Sequence, residues 1–118
     1  MAQFILLLHE NPQDFADVSP EQMQAVIGEY SAWRERLQAD NRLAGANKLK
    51  DEGGRWLTVD NGATRVIDGP YSEAKEVIGG YFVIEAVDYD EAVEICGDCP
   101  HLRYGGRIEL REIDAIHD

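Results

Sequence analysis

Between Asp68 and Lys75 the chain gathers side chains able to hold a ligand or move a proton: Asp68, Tyr71, Glu73 and Lys75, with Glu76 next. Asp68-Gly69-Pro70 is a turn sequence, and strand-like runs flank the loop on both sides. Loops fixed by rigid strands are where binding groups concentrate. Carboxylates, a phenol and an amine at this spacing suit general acid–base work or the grip of a small polar molecule. A structural role competes for Asp68, whose carboxylate can accept backbone N–H bonds in an Asx-type turn while Lys75 neutralises its acidic neighbours. No turn requires Glu73 or Lys75.

Further candidates lie outside that loop. His9 follows the first apolar run directly, so its ring can face the C-terminal end of a strand. The competing reading is a surface histidine satisfied by water. His101 offers the same chemistry with a weaker placement, and His117 lies in the tail. Tyr30 sits on an apolar helical stripe with Trp33 and reads first as core, but its hydroxyl then needs a partner and can point into the same cleft. Cys96-Gly97-Asp98-Cys99 with His101 invites a metal or redox reading. A closed zinc site needs four ligands and only three are near, while the dipole at a helix C-terminus opposes a thiolate. Two buried free thiols and no metal are the expectation. Arg103-Tyr104-Gly105-Gly106-Arg107 is a local basic cluster that reads as a turn into the last strand. With no nucleotide-binding glycine pattern and no Ser-His-Asp order, no cofactor is expected.

These residues need elements to place them. Residues 2–8 read as a strand with apolar groups on both faces, because Phe4, Leu6 and Leu8 alternate with Ile5 and Leu7. Ser19-Pro20-Glu21-Gln22 is a helix start: Ser at the N-cap, Pro at the first helical position and Gln closing a capping box. Met23, Val26, Ile27, Tyr30, Trp33 and Leu37 form its apolar stripe, and the helix should end near Asn41. A weak strand over 43–50 is followed by strands over 55–59 and 64–67, joined at Asn61-Gly62, a strong hairpin signal. A second two-faced apolar strand covers 80–86. Asp88 caps a second helix that Gly97 should stop, and 107–113 alternates as a half-exposed strand does.

The order is β-α-β, a hairpin insertion, then β-α-β. Two helices cover one sheet face, so the other face of the 4–8 and 80–86 strands must meet something. A second copy of the same sheet is the expected partner.

Composition narrows the function classes. The 118 residues suit one domain over 1–118, and 23 acidic against 11 basic residues give a formal charge of −12. A nucleic-acid backbone would be repelled, and anionic membranes discouraged. The apolar run at 4–8 lacks the basic flank and length of a signal peptide, and no later stretch reaches the length of a membrane span. The expected location is the cytoplasm.

Asp68-Gly69-Pro70-Tyr71, then Glu73, Lys75-Glu76 and Gly79-Gly80-Tyr81, resemble the signature of DGPF-type proteins in the YCII-related family, with Tyr71 where Phe is usual. The resemblance extends from Phe4 to about Ile113 and takes in Cys99-Pro100 and Tyr104-Gly105. It implies an α+β, ferredoxin-like chain that dimerises into an α+β barrel. Relatives with a His–Asp pair carry the histidine at the start of the first helix and the Asp before a Pro. Here the helix position falls near Gln22, and Cys99 precedes Pro100 with Asp98 one place early, so the pair is not reproduced and no catalytic residue is assigned.

The reading is a small homodimer with a cleft for a small organic ligand, suited to cofactor-independent proton transfer. The alternative is a non-catalytic metabolite-binding or regulatory module. His9, Tyr30, Asp68, Tyr71, Glu73 and Lys75 are its candidate ligand-binding residues.

Overall fold

In the computed structural model, residues 1–11, 13, 17–51, 54–68 and 76–115 are described. Strand β1 (Ala2–Glu10) leads to helix α1 (Pro20–Ala39) and strand β2 (Leu43–Lys48). Strands β3 (Arg55–Asp60) and β4 (Ala63–Asp68) form a hairpin, and β5 (Val77–Ala86) follows. Helices α2 (Tyr89–Gly97) and α3 (Pro100–Arg103) precede strand β6 (Arg107–Glu112). The main sheet is antiparallel with order β2-β5-β1-β6, while β3 and β4 make a separate two-stranded sheet. This is the expected α+β, ferredoxin-like arrangement with the hairpin inserted. The short α3 was not foreseen; Pro100, placed at its first turn, was the available signal.

The caps explain where the helices begin and stop. Ser19 Oγ accepts from Gln22 N–H at 3.1 Å and Gln22 Oε1 accepts from Ser19 N–H at 2.9 Å, closing the capping box. At the other end Asn41 takes a positive φ of 58°. Arg42 N–H then reaches back to the Leu37 carbonyl at 2.8 Å, and Asn41 N–H to Gln38 at 3.1 Å. In α2 the Asp88 cap forms without a reciprocal capping box. Asp88 accepts from Glu91 N–H at 3.0 Å, but Glu91 Oε1 accepts from Val87 N–H at 2.9 Å and from Arg42 at 2.5 Å, which ties the helix to the start of β2.

Alternation along β1 and β5 divides the sheet. Phe4, Leu6 and Leu8 of β1 and Phe82, Ile84 and Ala86 of β5 are buried against Trp33 and Leu37 of α1 and Ala92 and Cys96 of α2. Trp33 meets Phe82 edge-on at 4.8 Å between ring centroids. Full burial of each such side chain contributes about 1.5–3 kcal/mol. Ile5, Leu7, Tyr81 and Val83 point to the other face and take no part in that core.

The β1–β5 ladder slips between Leu8 and His9, where Gly79 is the extra residue of a bulge. A Cβ at Gly79 would lie 1.6 Å from Glu10 Oε1, and one at Gly80 would lie 2.9 Å from the Asn47 carbonyl oxygen. The Gly79-Gly80 pair therefore makes room for the Glu10 carboxylate and for the close approach of β2.

Candidate functional site

A cleft of about 440 Å³ opens between α1 and the helix-covered face of the sheet. Leu8, Val26, Ile27 and Phe82 are among its apolar walls, and Tyr30, His101, Glu10, Arg34 and Lys48 are among its polar groups. Each reaches the cleft for a local reason. Tyr30 is one turn of α1 from Val26 and on the same stripe. Glu10 shares a face with Leu8 because the bulge adds its extra residue to β5 rather than to β1. His101 stands on α3, directly after Pro100.

His101 is the buried polar residue of the core, only 3% exposed. Its Nε2 lies 2.7 Å from the His9 carbonyl oxygen, which can only accept. Nε2 therefore carries the proton, and the Nδ1 lone pair accepts from the Tyr30 hydroxyl at 2.9 Å. Gly106 closes the back of the ring, since a Cβ there would lie 2.2 Å from Nε2. Burial is the main reason that the Tyr30 phenol is pushed above its ordinary pKa, with the Cys99 and Glu10 charges adding to it. The phenol thus keeps its proton at neutral pH and donates it to the imidazole. The pair is a fixed Tyr–His dyad, with the tyrosine oxygen's lone pairs left for a ligand.

At the outer wall the Lys48 ammonium pairs with Asp51 at 2.9 Å, while Arg34 has no ion-pair partner among the described residues. Behind the dyad, Tyr104 donates to Glu29, which raises the Tyr104 pKa, and Arg103 approaches the same carboxylate at 3.3 Å. This ties α1 to the segment that carries His101.

The candidates from the sequence do not all gather here. Tyr30 does, and its hydroxyl finds the partner that burial demanded. The His9 side chain lies on the opposite sheet face, 2.9 Å from Glu109 and 3.5 Å from Glu76, and serves the cleft only through its carbonyl. Arg107 forms a two-pronged pair with Glu76 and, mainly through that hydrogen bond, holds the carboxyl below its usual range. Asp68 ends β4 with its side chain exposed, 3.6 Å from Arg55 and outside the cleft lining. Tyr71, Glu73 and Lys75 lie outside the described residues.

His101, Glu10 and Gly106 carry more of the geometry than the sequence suggested. For Glu10 the alternation from Leu8 was the available signal. For His101 there was none, because its partners are 71 and 92 positions away along the chain. Cys96 and Cys99 are buried free thiols, which burial pushes up to about 12 and about 11. Both nitrogens of His101 are occupied by Tyr30 and His9, so neither faces those sulfurs as a free ligand. No helix among the described residues is long and apolar enough to cross a membrane.

An antiparallel sheet under two helices, with a tyrosine–histidine pair walled into the cleft between them, defines a small α+β protein of ferredoxin-like architecture. The chain belongs to the YCII-related family, whose domain model matches residues 2–116. Among solved structures it is similar to the 5-chloro-2-hydroxyhydroquinone dehydrochlorinase TftG from Burkholderia phenoliruptrix AC1100, solved in complex with 2,5-dihydroxybenzoquinone. The identity is 16%, the TM-score 0.47, and the match covers 94% of this chain and 93% of that one. No curated protein matches the chain.

Proposed function

We propose that this protein binds a small, mostly apolar organic molecule in the α1–sheet cleft and transfers a proton to or from it through Tyr30 and His101. The observation that carries the reading is the 2.9 Å hydrogen bond from the Tyr30 hydroxyl to His101 Nδ1 in the cleft wall. A ligand hydroxyl or acidic C–H facing the Tyr30 oxygen can pass its proton there as the tyrosine's own proton moves to Nδ1. The ligand becomes an anion and the imidazole an imidazolium, whose Nε2–H is already held by the His9 carbonyl. The reverse sequence returns the proton. Arg34, at the cleft wall and without an ion-pair partner among the described residues, is a cation available to an anionic product. The chemistry needs only side chains of this chain, in keeping with cofactor-independent proton transfer.

The test is a panel of small phenols, ketones and carboxylates screened by ligand-observed NMR, followed by hydrogen–deuterium exchange of each bound compound in D2O. Exchange at an acidic C–H of a bound compound, lost in Tyr30→Phe, is the expected result. Binding without exchange would favour the alternative, a non-catalytic metabolite-binding module. Binding unaffected by both Tyr30→Phe and His101→Gln would remove the cleft from consideration.

The second part of the reading is a cytoplasmic homodimer joined through the open sheet face. What supports the joining is the apolar quartet Ile5, Leu7, Tyr81 and Val83, which lies outside the core of the single chain. Its rim carries charges of both signs, with Glu76, Glu85 and Glu109 beside Arg107 and Arg111.

A further inference from the structure

The β3–β4 hairpin has no core of its own. Register places Leu57 opposite Val66 on one face and Trp56 opposite Ile67 on the other. All four are exposed, Trp56 by 58% and Leu57 by 63%. The turn is well made: Asn61 and Gly62 take positive φ values of 51° and 79°, as a two-residue hairpin turn requires. A lone two-stranded hairpin is at best marginally stable in water. The sequence therefore invests β-branched and aromatic side chains in a ribbon that the described residues leave exposed on both faces.

The dimensions point the same way. The radius of gyration is 16.3 Å, against about 13.5 Å for a compact chain of this length. The accessible surface is 8338 Å², whereas a compact monomer of this mass exposes roughly 6,400 Å². The excess, about 1,900 Å² per chain, is of the size that each partner buries in an obligate dimer. Charge narrows the occupant. The chain carries −12, so two copies repel at most surfaces. The hairpin is neutral, with Arg55 and Arg65 against Asp60 and Asp68. A cationic or anionic partner would find little purchase on it.

We propose that the β3–β4 hairpin is an arm that clasps a second copy of this chain, burying its apolar pairs against that copy beyond the edge of the sheet-to-sheet contact. The inference rests on the homodimer reading above and adds a separate surface to it. Two arms related by a two-fold axis would each be covered once, which closes the assembly at two copies.

The test joins sedimentation with tryptophan quenching. Trp33 is 2% exposed, so acrylamide-accessible fluorescence reports Trp56. In the full-length wild-type chain Trp56 should be shielded at tens of micromolar and become accessible as dilution dissociates the dimer. Leu57→Ser/Val66→Ser should weaken association at least tenfold. A wild-type dimer with freely quenched Trp56, or a double variant that dimerises as tightly as wild type, overturns the arm and leaves the sheet-to-sheet dimer standing. A wild-type monomer with accessible Trp56 overturns both. Shielding in a monomer assigns the hairpin to its own chain, and shielding only with phosphatidylcholine vesicles assigns it to a bilayer; either result overturns the proposal.

Discussion

Two tryptophans divide this molecule. Trp33 lies at 2% exposure between helix and sheet, edge-on to Phe82, while Trp56 stands at 58% on the β3–β4 ribbon. Both belong to well-patterned elements, one helical and one extended. The difference is that α1 finds its counterpart within the same chain, whereas the hairpin finds none among the described residues. Local pattern decides what an element is; burial depends on which surfaces are within reach.

The sharpest way to break that contrast is truncation on the covered side. Trp33→Ala should cost about 3–5 kcal/mol in denaturant unfolding, the usual range for a buried aromatic. The matching Trp56→Ala removes no core contact within the chain, so its effect should appear only as a changed concentration dependence of the melt. Equal losses from the two changes in dilute protein would erase the distinction between the regions.

A smaller perturbation asks how tightly the cleft is built. Gly106→Ala should destabilise by about 1–3 kcal/mol, as overpacking does, because the added methyl falls 2.2 Å from His101 Nε2. Tyr30→Phe leaves His101 Nδ1 without its donor and should cost about 1 kcal/mol. The His9 carbonyl still holds the Nε2 proton in that variant, so the tautomer should persist while the Nδ1 nitrogen shift moves as it loses its hydrogen bond. An unchanged Nδ1 shift would mean that the Tyr30 hydroxyl does not hydrogen-bond His101 in solution.

The thiols give a pH test of the same covered layer. Cys96 and Cys99 titrate near 12 and 11 in the fold, above an ordinary value of 9.0, so the unfolded chain loses these protons first. Stability should be indifferent to them below about pH 9 and should fall as pH rises from there towards 11 and 12. Urea midpoints at pH 7, 9.5 and 10.5 check the sign. The smallest effect belongs to the hairpin rim: Asp68→Ala, at an exposed pair with Arg55, should leave the melting temperature almost unmoved.

The sequence carried most of the fold, because Ser19, Asn41, Asn61-Gly62 and Asp88 act within a few residues of themselves. Capping and turn chemistry is local and so is readable. The strand pattern also announced two apolar faces. The candidate site was read less well. His9 looked the better histidine because it ends a strand, yet strand alternation sends its ring to the open face. His101 looked ordinary because its partners come from α1 and β1. A cleft assembled by long-range packing leaves little trace in neighbouring residues. The Asp68–Lys75 loop, which drew attention first, lies mostly outside the described residues; its described end, Asp68, belongs to the hairpin.

The fit of Gly106 behind the His101 ring has an evolutionary corollary. The two positions share one volume, so they cannot drift independently. A lineage that acquires a methyl group at position 106 must give up the imidazole at 101 or swing it away from Tyr30. Across relatives, the two sites should therefore change together, with histidine at 101 accompanied by glycine at 106. A well-populated set of sequences pairing His with a bulky residue at 106 would show that this ring can be seated another way.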